Sequence, residues 1–348
     1  MRGLRFKQFC IRLSNWEYWP RIYVYFPLYI YYAWLSIKAR SLWFFSASNP
    51  GIETGGMLGE SKIEIFNIIP EHLKPVTIYI KSGASVPFIK SLMDEYQLTY
   101  PIICKPDRGE RGFQVSKIMN DQDLESYVLA NKVDYIIQSY CDYQMELGVY
   151  YRRYPWEEKG AVFSVVKKEF LFVEGDGIRT LNQLILNNSR AILQWDHLSG
   201  KFHDRMNEVL PKGKRLELVS IGNHARGTKF IDGKDLIDDD LNKVFDHITS
   251  QIPGVYFCRY DLRTTSEFDL KQGKNIFIVE LNGVGAEPAH IYDPNYKLTR
   301  AWMDLINQWR MVYKISKYNH RYGVPYMTTK AVKSHLKIMK AYRTLAES

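Results

Sequence analysis

Polar and apolar positions along this chain fall into two rhythms. The stretches "VTIYIK" (residues 76–81) and "YPIICKP" (100–106) are short, β-branched and bounded by turn residues, which predicts strands. Between them "SVPFIKSLMDEYQ" carries a helical period, so strand, helix and strand follow in order. "LESYVLANK" predicts another helix, "DYIIQSYC" and "MELGVYYRRYP" two strands, and "GAVFSVVKKEFLF" a β-rich continuation into the turn "VEGDG". The pattern goes on with a helix at "TLNQLILNNSRAI" and three strands at "RLELVSIGN", "GVYFCRYDLR" and "NIFIVELNG". Two basic helices broken at "RYGVP" close the chain. No repeat or low-complexity tract interrupts it, and the expected fold class is α+β.

One strand departs from the plain apolar pattern. In "KNIFIVELNGVGAEP" the run Ile276–Val279 and Leu281 read as buried on both faces, yet Glu280 and Asn282 sit at its end. A buried carboxylate is costly unless it is paired or holds a cation. The two-residue period puts Glu280 and Asn282 on one face, and two oxygen donors beside a glycine turn suit Mg²⁺. "FCRYDLR" alternates Arg259, Asp261 and Arg263 in the same way. If the two strands pair, Asp261, Glu280 and Asn282 converge with a guanidinium beside them. The alternative is a cross-strand ion pair, Arg259 to Glu280, with no metal.

Three further stretches carry candidate chemistry. Lys105 ends an apolar strand, and the "DRGERG" turn after it offers Arg108, Gly109, Arg111 and Gly112, suited to holding phosphate oxygens. "YIIQSYCDYQMELGV" places Gln138 at a strand end and Glu146 eight residues on, groups able to bond a base edge and ribose hydroxyls. "GGMLGESK" lacks the GK[ST] ending of a phosphate loop, so Gly55, Gly56 and Gly59 read as a turn leading into a helix, or as a backbone anion site.

Composition narrows the picture. At 348 residues, 46% hydrophobic and 24% charged, this is an ordinary globular chain with room for two or three subdomains. Cys10, Cys104, Cys141 and Cys258 form no CxxC, and Cys104 and Cys258 lie in apolar runs, which predicts buried thiols in a reducing compartment. The histidines form no HExxH, so zinc has little support. The net charge of +9 is concentrated: Arg2, Arg5, Lys7, Arg12, Arg21, Lys38 and Arg40 face Glu17 alone in residues 1–45. The same segment is rich in aromatics, and its apolar run from Ile22 to Leu35 is about 14 residues against the ~20 that span a bilayer. This points to an anionic membrane surface, or to packing on the domain or on a second copy in an oligomer. Basic charge without a motif is no sign of nucleic acid, and none is expected as a partner.

The order and spacing of "PIICKPDRGERGFQV", "IIQSYCDYQMELGV", "KKEFLFVEGDGIRTLNQLI", "RYDLR" and "VELNG" resemble the ATP-grasp superfamily, in its D-alanine–D-alanine ligase, cyanophycin synthetase and glutathione synthetase branch. The resemblance covers Ile78 to Pro294. It implies an ATP-grasp fold, two α+β subdomains gripping ATP, over residues 99–298. An aromatic-basic segment (1–50) and a short connecting region (51–98) would precede it, and a basic helical tail (299–348) would follow. It implies ADP-forming ligation of a carboxylate to an amine through an acylphosphate, with ATP and two Mg²⁺ ions (Mn²⁺ as the alternative metal). By the same resemblance Lys105, Arg108, Gly109, Arg111, Gly112, Gln138, Glu146 and Lys168 serve the nucleotide. Asp261, Glu280 and Asn282 hold metal, Arg259 steadies the reacting acyl centre, and Asn223 is a fainter match near the acceptor. The lid is arginine-rich, unlike that of the D-alanine ligases, and residues before Ile78 replace their usual N-terminal domain. A cytoplasmic location, peripheral on the inner membrane face, is the expectation. A non-catalytic ATP-binding scaffold and an ATP-grasp kinase are the competing classes.

Overall fold

Hydroxyl, amide and carboxylate side chains cap seven of the twelve α-helices among the described residues. Ser61, Ser85, Asn120, Asp238, Ser266 and Thr328 each accept a backbone N–H in the first turn, and Thr180 forms a reciprocal capping box with Gln183. The computed structural model describes residues 2–109, 112–219 and 227–348, with nothing said of the Arg2 side chain.

In chain order the helices are α1 (Arg2–Ser14), α2 (Arg21–Val24), α3 (Phe26–Ala39), α4 (Lys62–Ile68), α5 (Val86–Glu95) and α6 (Asp121–Ala130). Then come α7 (Leu181–Asn187), α8 (Trp195–Lys201), α9 (Asp239–Ser250), α10 (Glu267–Lys271), α11 (Leu298–Arg321) and α12 (Thr329–Glu347). The strands are β1 (Thr77–Ile80), β2 (Ile102–Pro106), β3 (Ser116–Ile118), β4 (Tyr135–Ser139), β5 (Met145–Arg152) and β6 (Ala161–Glu169). They continue with β7 (Leu171–Glu174), β8 (Arg215–Val219), β9 (Lys229–Asp232), β10 (Phe257–Thr264) and β11 (Phe277–Asn282). Among the described residues they form three sheets, in the orders β1-β4-β2-β3, β11-β10-β5-β6-β9 and β7-β8. Every pairing between these strands is antiparallel, which fits the expected α+β class. The strand–helix–strand order at β1-α5-β2 does not make neighbours, because β4 lies between.

The four-stranded sheet buries Ile78, Ile80, Cys104, Tyr135 and Ile137 with Ile89 and Met93 of α5 and Leu124 of α6. Its opposite face carries Lys105, Ile136 and Gln138, placed together by the β2–β4 register. Ile136 packs with the core of the five-stranded sheet. There Leu147, Val149 and Tyr151 of β5, with Tyr260 and Leu262 of β10, meet Leu241, Phe245 and Ile248 of α9. The alternate residues of β5 and β10 lie on the other face, where the candidate site is built.

The aromatic N-terminal segment is threaded into the protein. Val24, Leu28, Leu35, Phe44 and Phe45 share a core with Leu305, Trp309, Val312 and Ile315 of α11. Trp16 Nε1 donates to the Tyr296 carbonyl at 2.8 Å, Trp302 Nε1 to that of Val24 at 2.6 Å, and Asn319 Nδ2 to that of Ala47 at 2.8 Å. The predicted apolar run is split at Tyr25, and among the described residues no helix is long and apolar enough to cross a membrane.

The glycines of "GGMLGESK" are used for close backbone packing. A Cβ on Gly56 would lie 2.5 Å from Gly283 Cα, and Val284 and Gly285 donate their N–H groups to the Gly55 and Gly56 carbonyls at 3.1 and 2.7 Å. This loop therefore clasps the turn that follows Asn282, and the anion alternative gives way to a structural one.

Candidate functional site

Strand register assembles the site. On β10 and β11, Asp261 stands opposite Glu280 and Arg259 opposite Asn282, with a bulge just beyond Asp261. On the other side of β10, Arg263 pairs with Glu146 of β5 and Asp261 with Gly148. The expected convergence of Asp261, Glu280 and Asn282 is thus a direct cross-strand neighbourhood. In place of the cross-strand ion pair from Arg259 to Glu280, the alternative to a metal site, the structure has one within the strand. Arg259 donates to Asp261 Oδ2 through Nε at 3.0 Å and through its second terminal nitrogen at 2.7 Å. Asn282 Nδ2 donates to the same oxygen at 2.9 Å.

Lys168 of β6 completes a partly buried line of alternating charges. Its Nζ lies 3.0 Å from Glu146 Oε1 and 2.9 Å from Asp261 Oδ1, while Arg263 donates to Glu146 Oε2 at 3.1 and 3.2 Å. The sequence runs Arg263, Glu146, Lys168, Asp261, Arg259, each charge flanked by the opposite sign. Burial pushes the Asp261 carboxyl up, but Arg259 and Lys168 reverse this and hold it below its ordinary value. For Lys168 burial lowers the pKa, and the carboxylates of Asp261 and Glu146 raise it to a net value above the ordinary one.

Gly148 makes room for this line. A Cβ there would sit 2.8 Å from Val166 Cγ1 and 3.3 Å from Asp261 Oδ1. Gly148→Ala is expected to cost about 1–3 kcal/mol through overpacking on a β-branched neighbour. Urea unfolding of the variant checks this; a midpoint equal to the parent's would show that the strand has slack.

Lys105 approaches from the other sheet. It is 5% exposed, its Nζ donates to the Val279 carbonyl at 3.2 Å beside Glu280, and it lies 5.1 Å from the Phe66 ring centre. Burial pushes its pKa down to about 8, with Glu280 opposing the shift. Gln138, on the same face of that sheet, is buried and donates to Thr77 Oγ1 at 2.8 Å.

Arg108 is not brought into this group. Its guanidinium is committed to Glu53 Oε2 at 2.9 Å and the Gly59 carbonyl at 2.8 Å. The Gly109 carbonyl accepts from Lys62 at 2.7 Å, and Gly109 and Gly112 both have positive φ. Arg111 and Asn223 lie outside the described residues.

Among the described residues no group of three or more His, Cys, Asp or Glu side chains is arranged for a metal. The predicted set is two carboxylates and an amide, and its oxygens fit Mg²⁺ chemically. Asp261 Oδ1 is buried and accepts no well-directed hydrogen bond, its contact with Lys168 being an ion pair. No described side chain is hydrogen-bonded to the Glu280 carboxylate, which stands in register with it. Of the two carboxylates Glu280 is the one whose lone pairs no described side chain takes up, and an oxygen so placed is what a hard cation takes.

A cleft of about 280 Å³ opens at Ser164 of β6, the strand that also carries Lys168. Ser164 Oγ lies 2.6 Å from His290 Nδ1, His290 Nε2 lies 3.3 Å from Asp304 Oδ2, and Tyr296 donates to that same oxygen at 2.5 Å. Lys234 and Arg300 line the cleft as well. Glu287 is held apart from it. Tyr25 and Tyr292 both donate to its Oε2 at 2.5 Å, and its carbonyl accepts from Arg259 at 3.3 Å. Asp293 serves the backbone, accepting from Asp232 and Asn295. Sequence reasoning missed Ser164, Asp304 and Gly148. Only Gly148 carried a signal, a glycine inside an apolar strand.

No family model matches the chain, and none of the curated proteins matches it. Solved structures that match include ATP-grasp enzymes at low identity. A bifunctional glutathione synthetase from Pasteurella multocida matches with 12% identity and a TM-score of 0.41, covering 71% of this chain and 36% of its own. VanG D-Ala:D-Ser ligase from Enterococcus faecalis gives 15% identity and 0.39, covering 72% and 61%. D-alanine–D-alanine ligase from Bacillus anthracis, solved with ATP, gives 11% identity and 0.40, covering 75% and 66%. The chain therefore spans about a third of the length of the glutathione synthetase.

Proposed function

We propose that this chain is a cytoplasmic ATP-grasp ligase that joins a carboxylate to an amine and converts Mg-ATP to ADP and phosphate. The observation that carries the reading is the pair Asp261–Glu280 in strand register, the Glu280 carboxylate accepting from no described side chain, with the buried Lys105 and the partly buried Lys168 and Arg259 around it. Cations in excess of the carboxylates among them call for an anion, and a carboxylate beside them without a hydrogen-bond donor calls for a metal. A nucleotide triphosphate with Mg²⁺ supplies both.

Residues 99–298 form the catalytic unit in this reading, with 1–50, 51–98 and 299–348 as its aromatic segment, connection and helical tail. Lys105 and Lys168 hold phosphate oxygens, and closure over them of the loop with Arg108, Gly109, Arg111 and Gly112 would first have to release Arg108 from Glu53 and the Gly59 carbonyl. Gln138 meets the base, and Glu146, steadied by Arg263, accepts from ribose hydroxyls. Asp261, Glu280 and Asn282 would hold Mg²⁺, which would supply positive charge to offset that of the nucleotide phosphates. The substrate carboxylate attacks the γ-phosphorus as the bond to ADP breaks, giving an acylphosphate. The amine then attacks the acyl carbon, phosphate leaves with the bonding pair, and the amine proton passes to solvent or a base. Arg259 stabilises the tetrahedral oxyanion in between.

Incubation of the protein with Mg-ATP, with and without a cell extract of small metabolites and lipids, tests this. ADP and free phosphate that rise only with extract are expected. ADP without free phosphate would mean a kinase, AMP with pyrophosphate would overturn the acylphosphate route, and binding without consumption would favour a scaffold.

A further inference from the structure

Helix α3 is apolar on two sides, and only one of them is used inside the protein. Leu28, Tyr32 and Leu35 face the core, Tyr32 packing edge-on against Trp309 of α11. On the other side Phe26, Tyr29, Ile30, Ala33, Trp34 and Ile37 follow the spacing i, i+3, i+4, i+7, i+8, i+11, a single exposed stripe. Phe26 and Ile30 are each 59% exposed and Ile37 is 76% exposed, so these are not core residues with a visible edge. Helix α1 repeats the design with exposed Phe6, Phe9 and Leu13 at i, i+3 and i+7.

The charge around the stripe is of one sign. Arg21, Lys38 and Arg40 are exposed at the two ends of α3, and Lys38 Nζ lies 4.2 Å above the Trp34 ring. Arg5 and Arg12 are exposed on α1. Glu17 is the single acid among residues 1–52, and Arg190 binds both its oxygens at 2.8 and 2.9 Å. The surface thus pairs large apolar side chains with cations that have no acid of their own segment left to meet.

We propose that this stripe docks on an anionic lipid bilayer, with α3 lying in the headgroup layer. Trp and Tyr suit that layer, and nearby Lys and Arg meet the lipid phosphates. At 14 residues α3 is about 21 Å long, short of the ~30 Å hydrocarbon core, so it lies on the bilayer. A second copy of the chain fits worse: a two-fold interface would set Arg21, Lys38 and Arg40 against the same cations. This inference stands apart from the ligase reading, since it uses none of the site residues.

The test is co-sedimentation of the full chain with phosphatidylcholine vesicles, with and without a third phosphatidylglycerol. Point variants are used because the segment also forms core. Binding to the anionic vesicles only, weakened by salt, is expected. Replacing Arg21 and Lys38 by Gln should weaken it ~30-fold, at about a factor of five for each surface cation. Ile37→Glu should abolish it, with the circular dichroism spectrum and melting temperature of the parent as the control for folding. Equal binding to neutral vesicles, or no binding by the parent, overturns the proposal. So does a light-scattering dimer that Ile37→Glu dissolves, which would assign the stripe to self-association.

Discussion

Glu280→Gln should lower ATP turnover ~10³-fold or more while shifting stability by only about 1 kcal/mol. The reason lies in its surroundings. No described side chain is hydrogen-bonded to this carboxylate, so its removal breaks no described hydrogen bond and gives up only the attraction to Lys105 and Arg259. Asp261→Asn should lose turnover too, but at a cost of about 3–5 kcal/mol, because Arg259 and Lys168 stay buried without their shared counter-charge. Denaturant melts and ADP release measured on both variants separate the two roles. Full turnover in Glu280→Gln would sink the assignment of the site, and an unaltered midpoint in Asp261→Asn would show that water reaches the charge line.

Lys105→Met should move stability and function in opposite directions. The lysine is buried with one long hydrogen bond, and lowering its pKa from 10.5 to about 8 corresponds to a cost on the order of 3 kcal/mol. Below about pH 8 both folded and unfolded states hold the proton, and the folded state bears that whole cost. Between about 8 and 10.5 the unfolded chain keeps the proton and the folded one releases it, so stability rises with pH through this window. Methionine of similar length should remove the rise and stabilise the protein by about 1–3 kcal/mol at neutral pH. ATP affinity should fall at the same time. In the parent, ATP binding just above pH 8 should draw a proton onto Lys105. Calorimetry in two buffers of different ionisation enthalpy would read this uptake, and its persistence in Lys105→Met would remove Lys105 from the phosphate site.

What could be read from residue order was what repeats with a short period. The phase of "FCRYDLR" and "VELNG" placed Arg259, Asp261, Glu280 and Asn282 on common faces, and pairing of those strands turned phase into contact. The two long C-terminal helices and their break were legible for the same reason. Partner choice was not. Nothing in the alternation says that Arg259 bonds the carboxylate two residues ahead and leaves Glu280 open, because both lie within a guanidinium's reach. Arg108 looked like a lid cation, yet Glu53 claims it from 55 residues away. The chain Ser164–His290–Asp304 joins residues 126 and 14 apart, a closure that depends on how β6 meets the loop after β11.

The threading of the N-terminal segment has a consequence for how the protein is made. Phe44, Ala47 and Leu35 are finished surfaces only when α11 has arrived, and the Asn319–Ala47 bond spans 272 residues. At roughly 5–20 residues per second, translation leaves that segment without its partner for about 15 seconds to a minute. During that interval a ribosome carries an aromatic, cationic nascent chain whose core and outward faces are both uncovered. The segment therefore waits longer for its packing partner than most of the fold does, and its apolar faces stay open to other contacts until α11 emerges.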